Sequence, residues 1–496
     1  MLLKDLIKDI YPPNQIPPEF WDFPVESICS DSRQAKKGSL FIALKGPADD
    51  GGKFVGDAIK NGAAIIVKND SPSSVEERGV CVLTVPDTRR FLKELLKRFY
   101  DDPSHKIKTI GITGTNGKTT ITYLLESIFQ SAGKGCGVIG TIDYHFGSKR
   151  FVAKNTTPGV IDSHHYLSDM IKEGMPYCAM EVSSHALDQG RVAGIDFRTA
   201  VFTNLTSDHL DYHKDREDYF LSKAILFKNL SAQAIAVINQ DDPHAGRLME
   251  MTPATVVTYG IQNPSDVIAE NIDLSLKGTT FVLKTLPGHI SISTRLIGLH
   301  NVYNILAAAA VGWKENVSLE KIKDGIERLA SVPGRMESID DGQDFHVFVD
   351  YAHTEDAMRN ILSSVRNVSD ARIILVFGCG GDRDKTKRPK MGKVASAMAD
   401  FVIITSDNPR SEDPKTIIDE ILLGFDGDHY QIVLNRDQAI QEAIHRAKTG
   451  DVVIIAGKGH EDQQIFKDKT IPFDERQFVK NYLKNNRTPE HQGARK

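Results

Sequence analysis

Residues 111–120 read Gly-Ile-Thr-Gly-Thr-Asn-Gly-Lys-Thr-Thr, and this stretch constrains the fold more than any other part of the chain. Residues 108–113 predict a short buried strand, and apolar residues at helical spacing predict a helix over residues 120–131. A strand, a glycine-rich turn and a helix that begins near Lys-Thr are typical of polyphosphate-binding loops, because small residues let backbone N–H groups approach the oxygens. In this interpretation Lys118 neutralises phosphate charge and Thr119 holds Mg²⁺.

The loop departs from the strict phosphate-loop pattern at one position. Position 112 is Ile where that pattern has glycine, so the match is to a variant, Gly-Thr-Asn-Gly-Lys-Thr. The alternative is an ordinary glycine-rich turn with a solvated lysine. The predicted strand before the loop and the predicted helix after it favour phosphate binding.

Size and composition limit the classes of protein that the chain can belong to. A chain of 496 residues is too long for one hydrophobic core. A net charge of −5, with both signs mixed along the chain, argues against a nucleic-acid partner. The five cysteines lack paired spacing, so we expect reduced thiols in a cytoplasmic protein without a zinc site. No signal peptide and no long apolar run are apparent, which predicts a protein that is neither secreted nor membrane-spanning.

The order of apolar runs and helical segments predicts an α/β protein with three domains. Residues 1–105 form a small N-terminal α/β domain. Residues 106–332 form a central P-loop-type ATPase domain with a mostly parallel sheet, to which the shorter alternation around residues 268–293 adds antiparallel strands. Residues 333–496 form a C-terminal Rossmann-like α/β domain.

Three residues of the predicted central domain are candidates for metal chemistry. Glu181 closes an apolar strand, where a carboxylate is well placed to bind Mg²⁺; the alternative is a glutamate that faces solvent. His209 lies in a dense polar cluster, residues 203–213, and is a metal ligand or a turn residue. Lys223 follows on a predicted helix, and spacing alone favours a solvated lysine there.

Polar loops follow several predicted strands in the last third of the chain. Asn301 and Asn304 open a helix and suit either an adenine edge or a helix cap. Asp350 ends a strand and suits ribose hydroxyls. The loops at residues 378–388, 407–410 and 457–461 each follow a strand, which is where an α/β sheet binds its ligand.

Together these residues resemble the Mur ligase family, ATP-dependent amide-forming enzymes of peptidoglycan synthesis. The resemblance depends most on Met-Glu-Val-Ser-Ser-His at residues 180–185 and Asn-Leu-Thr-Ser-Asp-His-Leu-Asp-Tyr-His at residues 204–213. It implies a monomeric enzyme that uses ATP and Mg²⁺ to add meso-2,6-diaminopimelate to UDP-N-acetylmuramoyl-L-alanyl-D-glutamate through an acyl phosphate. In that reading all partners are small molecules.

The resemblance also implies a role for each matching residue. The catalytic set is Lys118, Glu181, His209 and Lys223. The metal ligands are Thr119, Glu181, His209 and Lys223, the last as a carbamate. The ATP-binding residues are Gly114, Thr115, Asn116, Gly117, Lys118, Thr119, Thr120, Asn301, Asn304, Arg335 and Asp350. The residues for the UDP-muramoyl dipeptide are Ser30, Ser32, Pro47, Ala48, Asp49, Asn155, Thr156, Thr157, Ser183, Gln189 and Arg191. The residues for diaminopimelate are Arg383, Asp407, Asn408, Pro409, Arg410, Gly457 and Glu461.

Three other functions stay open at this point. Two are ligases: one that resembles folylpolyglutamate synthase, and the one that adds the dipeptide in the same pathway. The predicted uridine-binding first domain argues against the folate ligase. The third is a regulator that binds a nucleotide only to close its domains.

Overall fold

The computed structural model describes residues 1–46, 50–69, 79–206, 208, 212–286 and 288–485. Within it the chain forms two compact units. The first unit comprises Met1–Thr109, Thr157–Cys178 and Ala186–Phe197. The second unit comprises Ile110–Thr156, Ala179–His185 and the chain from Arg198 onward.

The first unit is built on a parallel sheet with the strand order β1-β2-β3-β4. All four residues of β2 are buried, because both faces of the sheet are covered. Leu40 and Ile42 pack in one hydrophobic cluster with Leu95, and Phe41 packs in another with Ala58. The strands are β1 (Ser27–Cys29), β2 (Ser39–Ile42), β3 (Ala63–Lys68) and β4 (Cys81–Thr84).

An eleven-stranded sheet has the order β15-β14-β13-β12-β11-β10-β5-β9-β6-β7-β8. The strands from β10 to β13 pair in parallel, and β13-β14-β15 and β6-β7-β8 are antiparallel additions at the two edges. The strands are β5 (Lys108–Thr113), β6 (Cys136–Ile139), β7 (Asp143–Phe146), β8 (Lys149–Val152), β9 (Tyr177–Glu181), β10 (Phe197–Phe202), β11 (Ile235–Asn239), β12 (Thr255–Gly260), β13 (Val267–Ser275), β14 (Gly278–Thr285) and β15 (Gly288–Thr294).

A third sheet has the order β16-β17-β21-β18-β19-β20, and all its pairs are parallel except β16-β17. Its central strands are fully buried because hydrophobic clusters cover both faces, which is the arrangement of a doubly wound α/β fold. The strands are β16 (Glu337–Ser338), β17 (His346–Asp350), β18 (Ile373–Phe377), β19 (Phe401–Ile404), β20 (Tyr430–Ile432) and β21 (Val452–Ala456), followed by a hairpin of β22 (Gln463–Ile465) and β23 (Thr470–Pro472).

Helices connect most of the strands. None of the helices in the described residues is both long enough and apolar enough to cross a membrane. The α-helices are α1 (Leu3–Leu6), α2 (Val55–Lys60), α3 (Thr88–Phe99), α4 (Pro103–Lys106), α5 (Lys118–Ser131), α6 (Val160–Lys172), α7 (Ser184–Asp188), α8 (Arg216–Lys228), α9 (Ala245–Met251), α10 (Leu299–Lys314), α11 (Leu319–Arg328), α12 (Glu355–Arg366), α13 (Lys387–Met398), α14 (Pro414–Leu422), α15 (Arg436–Arg446) and α16 (Glu475–Asn485).

The predicted fold class is confirmed: three α/β sheets follow one another along the chain. The antiparallel strands predicted around residues 268–293 are β13 to β15. The hairpin of β7 and β8 was not predicted, although Gly147-Ser148 is a turn signal. The domain boundaries after residues 105 and 332 stay predictions.

Candidate active site

Two glycines shape the loop between β5 and α5 in the second unit. Gly114 has φ 147° and Gly117 has φ 90°, and residues that carry a side chain rarely adopt these positive backbone angles. A Cβ on Gly114 would lie 1.8 Å from Oγ1 of Thr203, and a Cβ on Gly117 would lie 2.2 Å from Oδ1 of Asn304. The loop therefore packs against the end of β10 and against α10, and it leads into a helix N-terminus that favours an anion.

Lys118 and Lys223 converge on one backbone oxygen of this loop. Lys118 Nζ donates to the carbonyls of Gly114 and Thr115 at 2.9 and 2.8 Å, and Lys223 Nζ donates to the carbonyl of Gly114 at 3.0 Å. Lys223 is 1% exposed, and its Nζ lies 4.3 Å from the ring centre of Tyr219. Lys223 is thus buried, contrary to the solvated position that spacing alone favours.

Burial changes the acid–base properties of both lysines. Burial lowers the pKa of Lys118, which Arg335 lowers further while Glu181 and Asp208 oppose the shift. Burial also lowers the pKa of Lys223 well below its ordinary value, and the charge of Lys118 adds to this shift. A neutral amine at Lys223 is therefore much easier to reach than at an exposed lysine.

Glu181 ends β9 with a carboxylate that is only 1% exposed. Its Oε1 accepts from the Thr141 backbone N–H at 2.8 Å, and its Oε2 accepts from the Thr141 hydroxyl at 3.0 Å. A Cβ on Gly140 would lie 2.4 Å from Oε1, so position 140 must be glycine for the carboxylate of Glu181 to come this close to Thr141. The alternative of a solvent-facing Glu181 is wrong, and Thr141 fixes the position of the carboxylate.

Arg335 lies after α11 in the second unit, and its side chain contacts the first turn of α5. Its Nη2 donates to Oγ1 of Thr119 at 3.1 Å, and its guanidinium carbon lies 4.7 Å from the ring centre of Tyr351. Asp350 accepts from the Met336 backbone N–H at 2.7 Å, which holds the turn next to Arg335. Burial raises the pKa of Asp350, and the charge of Arg335 opposes that shift.

Asp356 joins the start of α12 to the phosphate loop. Its Oδ2 accepts from Nδ2 of Asn116 at 2.8 Å and from the hydroxyl of Thr206 at 3.0 Å. The backbone N–H of Asn116 donates to Oδ1 of Asn204 at 3.0 Å. The loop is therefore held both by the segment that follows β10 and by α12.

These groups surround a cavity of about 580 Å³ in the second unit, a size typical of ligand sites. Asn304 donates to Oδ1 of Asn301 at 3.1 Å, and the side chain of neither residue caps the N-terminus of α10. Lys223 and Gly114 do not line the cavity. The predicted residues that do are Thr115, Asn116, Gly117, Lys118, Thr119, Thr120, Thr156, Glu181, Ser183, Asn301, Asn304, Arg335 and Asp350.

Two arginines come together over a glycine-rich loop after β18. A Cβ on Gly380 would lie 3.0 Å from Nη1 of Arg410 and 3.8 Å from Cγ of Arg383. Arg410 donates to the carbonyl of Gly381 at 2.8 Å, and a Cβ on Gly381 would lie 1.9 Å from the carbonyl oxygen of Pro409. Burial lowers the pKa of Arg410, and the charge of Arg383 lowers it further. The positive charge of Arg383 thus acts on Arg410, and two cations beside one loop favour an anionic ligand.

Acceptor groups lie next to these arginines at the ends of β19 and β21. Asn408 donates from Nδ2 to Oε2 of Glu461 at 2.7 Å. A Cβ on Gly457 would lie 2.8 Å from Oδ2 of Asp407. The structure thus brings together the residues predicted for diaminopimelate, and none of them lines the 580 Å³ cavity.

A buried ion pair supports this second cluster. Arg436 begins α15 and Glu475 begins α16, and both side chains are fully buried. Arg436 Nη2 donates to Glu475 Oε2 at 2.8 Å and to the carbonyl of Ala456 at 2.9 Å. Glu475 Oε1 accepts from the Gly459 backbone N–H at 3.0 Å. The pair therefore fixes both ends of the turn that follows β21.

The residues predicted for the UDP-muramoyl dipeptide are divided between the two units. In the first unit, Ser30 is exposed and Ser32 is buried, and Arg191 donates to Oε1 of Gln189 at 2.9 and 2.6 Å and to the carbonyl of Thr157 at 3.2 Å. In the second unit, Thr156 and Ser183 line the cavity, and the carbonyl of Asn155 accepts from the Tyr144 hydroxyl. Pro47, Ala48, Asp49 and His209 lie outside the described residues.

Several residues of the site were missed by the sequence analysis. Thr141 and Asp356 make contacts with chain segments far away in sequence, which no local pattern reveals. Arg436 and Glu475 look like ordinary charged residues at the starts of amphipathic helices. Lys458 lies inside the motif at residues 457–461, and its position between two glycines was the available signal.

Three segments of the chain match domains of one family. Residues 112–312 match the Mur ligase middle domain, residues 334–459 match the Mur ligase glutamate ligase domain, and residues 24–100 match the catalytic domain of the Mur ligase family. A UDP-N-acetylmuramoyl-L-alanyl-D-glutamate–2,6-diaminopimelate ligase from Bacillus cereus is 46% identical over 473 residues, which cover 92% of this chain and 96% of that relative. The chain belongs to the Mur ligase family.

Other Mur ligases support the same assignment. A second relative comes from Clostridium acetobutylicum and is named UDP-N-acetylmuramoyl-L-alanyl-D-glutamate–2,6-diaminopimelate ligase 1. It is 44% identical over 464 residues, which cover 93% of this chain and 95% of that relative. A solved structure of a 2,6-diaminopimelate ligase is 34% identical with a TM-score of 0.67, covering 94% of this chain and 97% of that one. The match therefore extends over nearly the whole Mur ligase fold.

Proposed function

We propose that this Mur ligase adds meso-2,6-diaminopimelate to UDP-N-acetylmuramoyl-L-alanyl-D-glutamate in peptidoglycan precursor synthesis. It is an ATP-dependent acid–amino-acid ligase. The observation that carries the proposal is the 46% identity over 92% of the chain to the Bacillus cereus ligase of that name. The cluster of Arg410, Arg383 and Glu461 supports it independently, because it offers both signs of charge to a ligand.

The reaction requires an activated carboxylate, because a carboxylate ion is a poor electrophile for an amine. A carboxylate oxygen of the D-glutamyl residue attacks the γ-phosphorus of ATP, and ADP leaves with the electron pair of the broken bond. The amine then attacks the acyl phosphate, loses a proton, and inorganic phosphate leaves from the tetrahedral intermediate. Lys118 and Arg335 both line the cavity, and Arg335 contacts Thr119; the two cations stabilise the negative charge that builds up.

The residues of the cavity fit Mg²⁺. Glu181 provides a carboxylate that is 1% exposed and held by Thr141, and Thr119 provides a hydroxyl on the same cavity wall. A buried carboxylate beside phosphate groups is stable only with a compensating cation. Thr119, Glu181 and His209 would hold the ion, which neutralises phosphate charge when bound.

Lys223 fits a carbamate. Carbon dioxide reacts with a neutral amine, and burial together with the charge of Lys118 favours the neutral form of Lys223. The ammonium loses one proton, and the neutral amine then forms a bond to the carbon of carbon dioxide and releases a second proton, so a cation is replaced by an anion. That anion would sit beside Lys118, which binds the same carbonyl of Gly114.

In this proposal the three predicted domains bind different substrates or different parts of one substrate. Residues 1–105 bind the uridine part, residues 106–332 bind ATP, and residues 333–496 bind the amino acid. The uridine end contacts Ser30, Ser32, Pro47, Ala48 and Asp49, and the muramoyl dipeptide contacts Asn155, Thr156, Thr157, Ser183, Gln189 and Arg191.

Diaminopimelate differs from lysine in carrying a carboxylate beside its distal ammonium group. A guanidinium group can bind that carboxylate in a bidentate manner, and Arg410 with Arg383 provides two such groups. Asp407, Asn408, Pro409 and Gly457 form the surrounding wall, and Glu461 accepts from the distal ammonium. Lysine as a substrate has no distal carboxylate, so it would leave the two arginines without an anion to bind.

An assay of ADP release tests the proposal. Purified protein with ATP and Mg²⁺ is given the UDP-linked dipeptide together with meso-diaminopimelate, lysine or ornithine, and each component is also omitted in turn. We expect release only when both the dipeptide and diaminopimelate are present. Release with a folate and glutamate, or with the UDP-linked tripeptide and D-alanyl-D-alanine, would establish one of the other ligases. ADP release without this double dependence would establish a regulator.

The monomeric state and the cytoplasmic location stay predictions. Light scattering on purified protein measures the first, and fractionation of cells measures the second. Neither result changes the chemistry proposed above.

A further inference from the structure

Lys458 lies in the turn after β21 and has no exposed surface, although it carries a charged side chain. Its Nζ donates to Oδ1 of Asn408 at 3.0 Å, to Oε2 of Glu461 at 2.9 Å and to the carbonyl of Gln463 at 2.6 Å. These three acceptors use all three N–H groups of the ammonium. Burial of a charged lysine costs free energy. A lysine that is fully buried here, with this set of partners, therefore indicates that its position matters to the site.

The lysine determines how the amide of Asn408 is oriented. Oδ1 of Asn408 accepts from Lys458 and also from the backbone N–H of Ile465 at 3.0 Å. With two donors on that side, the oxygen and nitrogen of the amide cannot exchange places. Nδ2 of Asn408 is therefore directed at Oε2 of Glu461, 2.7 Å away.

The result is an asymmetric carboxylate. Oε2 of Glu461 has two donors, Lys458 and Asn408, whereas Oε1 has no hydrogen-bond partner among the described residues. The side chain of Glu461 is 28% exposed, so Oε1 is accessible to a ligand while Oε2 is fixed. This is an arrangement that presents one acceptor to a cationic group at a defined position.

We propose that Lys458 is a specificity-determining positioning residue for the distal ammonium group of the amino-acid substrate. This inference rests on the proposed function. Lys458 is buried, so it acts through Glu461 and Asn408 and does not touch the substrate. It holds Oε2 of Glu461 in place, so that Oε1 is left for the ammonium group, while Arg410 and Arg383 bind the neighbouring carboxylate.

The charge balance of the cluster supports the same role. The distal end of diaminopimelate is a zwitterion, with one ammonium and one carboxylate. Asp407, Glu461 and Asp382 all act on the charge of Arg410, and Lys458 offsets the negative charge of Glu461 among them. Removal of Lys458 would leave Glu461 free to turn toward Arg410, and the zwitterion would lose both contacts.

The first test is the variant Lys458→Met, which retains the length of the side chain without its charge. We expect KM for diaminopimelate to rise about tenfold or more, the size typical of lost hydrogen bonds to charged groups. KM for ATP and for the UDP-linked dipeptide should stay unchanged. Lys467→Met is the matched control, because Lys467 is an exposed lysine a few residues further along the chain.

A second measurement separates positioning from a purely structural role. The selectivity for diaminopimelate over 2-aminopimelate, which lacks the distal amine, should be high in the wild-type enzyme and largely lost in Lys458→Met. In a Glu461→Gln background, Lys458→Met should change KM for diaminopimelate by less than about twofold, because the residue through which it acts is already altered. Equal effects of Lys458→Met in both backgrounds would overturn the inference.

Folding is checked by thermal unfolding of each variant. If Lys458→Met does not fold, Lys458→Gln is used, because its amide keeps a polar group in this buried place while the positive charge is lost, and it is expected to lose selectivity in the same direction. A wild-type enzyme that does not ligate diaminopimelate would refute the proposed function itself. A wild-type enzyme that ligates it, with selectivity unchanged in the folded variant, would refute only the role of Lys458.

Discussion

Lys118 and Lys223 donate hydrogen bonds to the same oxygen atom, the backbone carbonyl of Gly114. Two ammonium ions cannot share one acceptor in a buried place without strong repulsion, and burial together with Lys118 lowers the pKa of Lys223 well below its ordinary value. The neutral form of Lys223 relieves this repulsion. An anionic carbamate would convert it into attraction.

The first prediction is that activity depends on carbon dioxide. The carbamate needs the neutral amine, so its formation should increase as pH rises through the lowered pKa of Lys223. Ligase activity at neutral pH should fall in buffer freed of carbon dioxide and recover when bicarbonate is added. Initial rates of ADP release measure this, and ¹³C-labelled bicarbonate should give a carbamate signal in the NMR spectrum.

Lys223→Arg is the matched variant for this prediction. It retains the positive charge but cannot form a carbamate, so activity should fall by about a hundredfold or more, as when a group that stabilises transition-state charge is lost. Bicarbonate should have no effect on it. A wild-type rate that is the same with and without carbon dioxide would contradict the carbamate.

The second prediction concerns Arg410. Arg410→Ala should raise KM for diaminopimelate by about 10- to 100-fold, because a charge-assisted hydrogen bond contributes about 1.5–3 kcal/mol. KM for ATP should not change, since Arg410 does not line the nucleotide cavity. Steady-state kinetics with each substrate varied in turn measure the effect.

Arg410→Lys provides the control, because it keeps the charge and loses the bidentate geometry. Its KM for diaminopimelate should lie between the KM of the wild-type enzyme and that of Arg410→Ala. An unchanged KM for diaminopimelate in Arg410→Ala would refute the assignment of this residue.

The third prediction concerns Asp356, which accepts from Asn116 on the phosphate loop and from Thr206. Asp356→Ala leaves both donors without this acceptor, so KM for ATP should rise about tenfold while KM for diaminopimelate stays the same. Glu355→Ala is the control, because the neighbouring Glu355 is 42% exposed and, among the described residues, pairs with Arg359 on the same helix. Equal KM values for ATP in the two variants would show that α12 does not hold the loop.

The parts of the site that could be predicted from the sequence are those with a local signal. The phosphate loop is one of them, because the strand, Gly114, Gly117 and the following helix lie within one short segment. The loop around Arg410 is another, because it follows a predicted buried strand. In both cases the residue types and their spacing carry the information.

The rest depends on contacts that only the folded chain creates. Lys223 looks like a surface lysine on its helix, and its burial results from packing against Gly114 and the ring of Tyr219. Asp356 and Asn116 are far apart in the sequence, and neither residue type distinguishes this contact from a solvated helix start. Long-range hydrogen bonds of this kind leave no periodic pattern.

The last prediction concerns the buried pair of Arg436 and Glu475, for which the sequence also gave no signal. Both side chains are fully buried, and the pair holds the carbonyl of Ala456 and the N–H of Gly459. Glu475→Ala leaves an unpaired buried guanidinium and should lower the free energy of unfolding by about 3–5 kcal/mol. Urea unfolding followed by circular dichroism measures this loss.

The double variant Arg436→Met/Glu475→Leu separates the two costs of that pair. It removes both charges and fills the space with apolar side chains, which is often neutral for stability, so it should recover most of the free energy lost in Glu475→Ala. Its KM for diaminopimelate should nevertheless rise, because the turn that carries Gly457, Lys458 and Glu461 has lost its anchors at Ala456 and Gly459. If the double variant were as unstable as Glu475→Ala, the pair would be a net source of stability. If its KM were that of the wild-type enzyme, the pair would not position the turn.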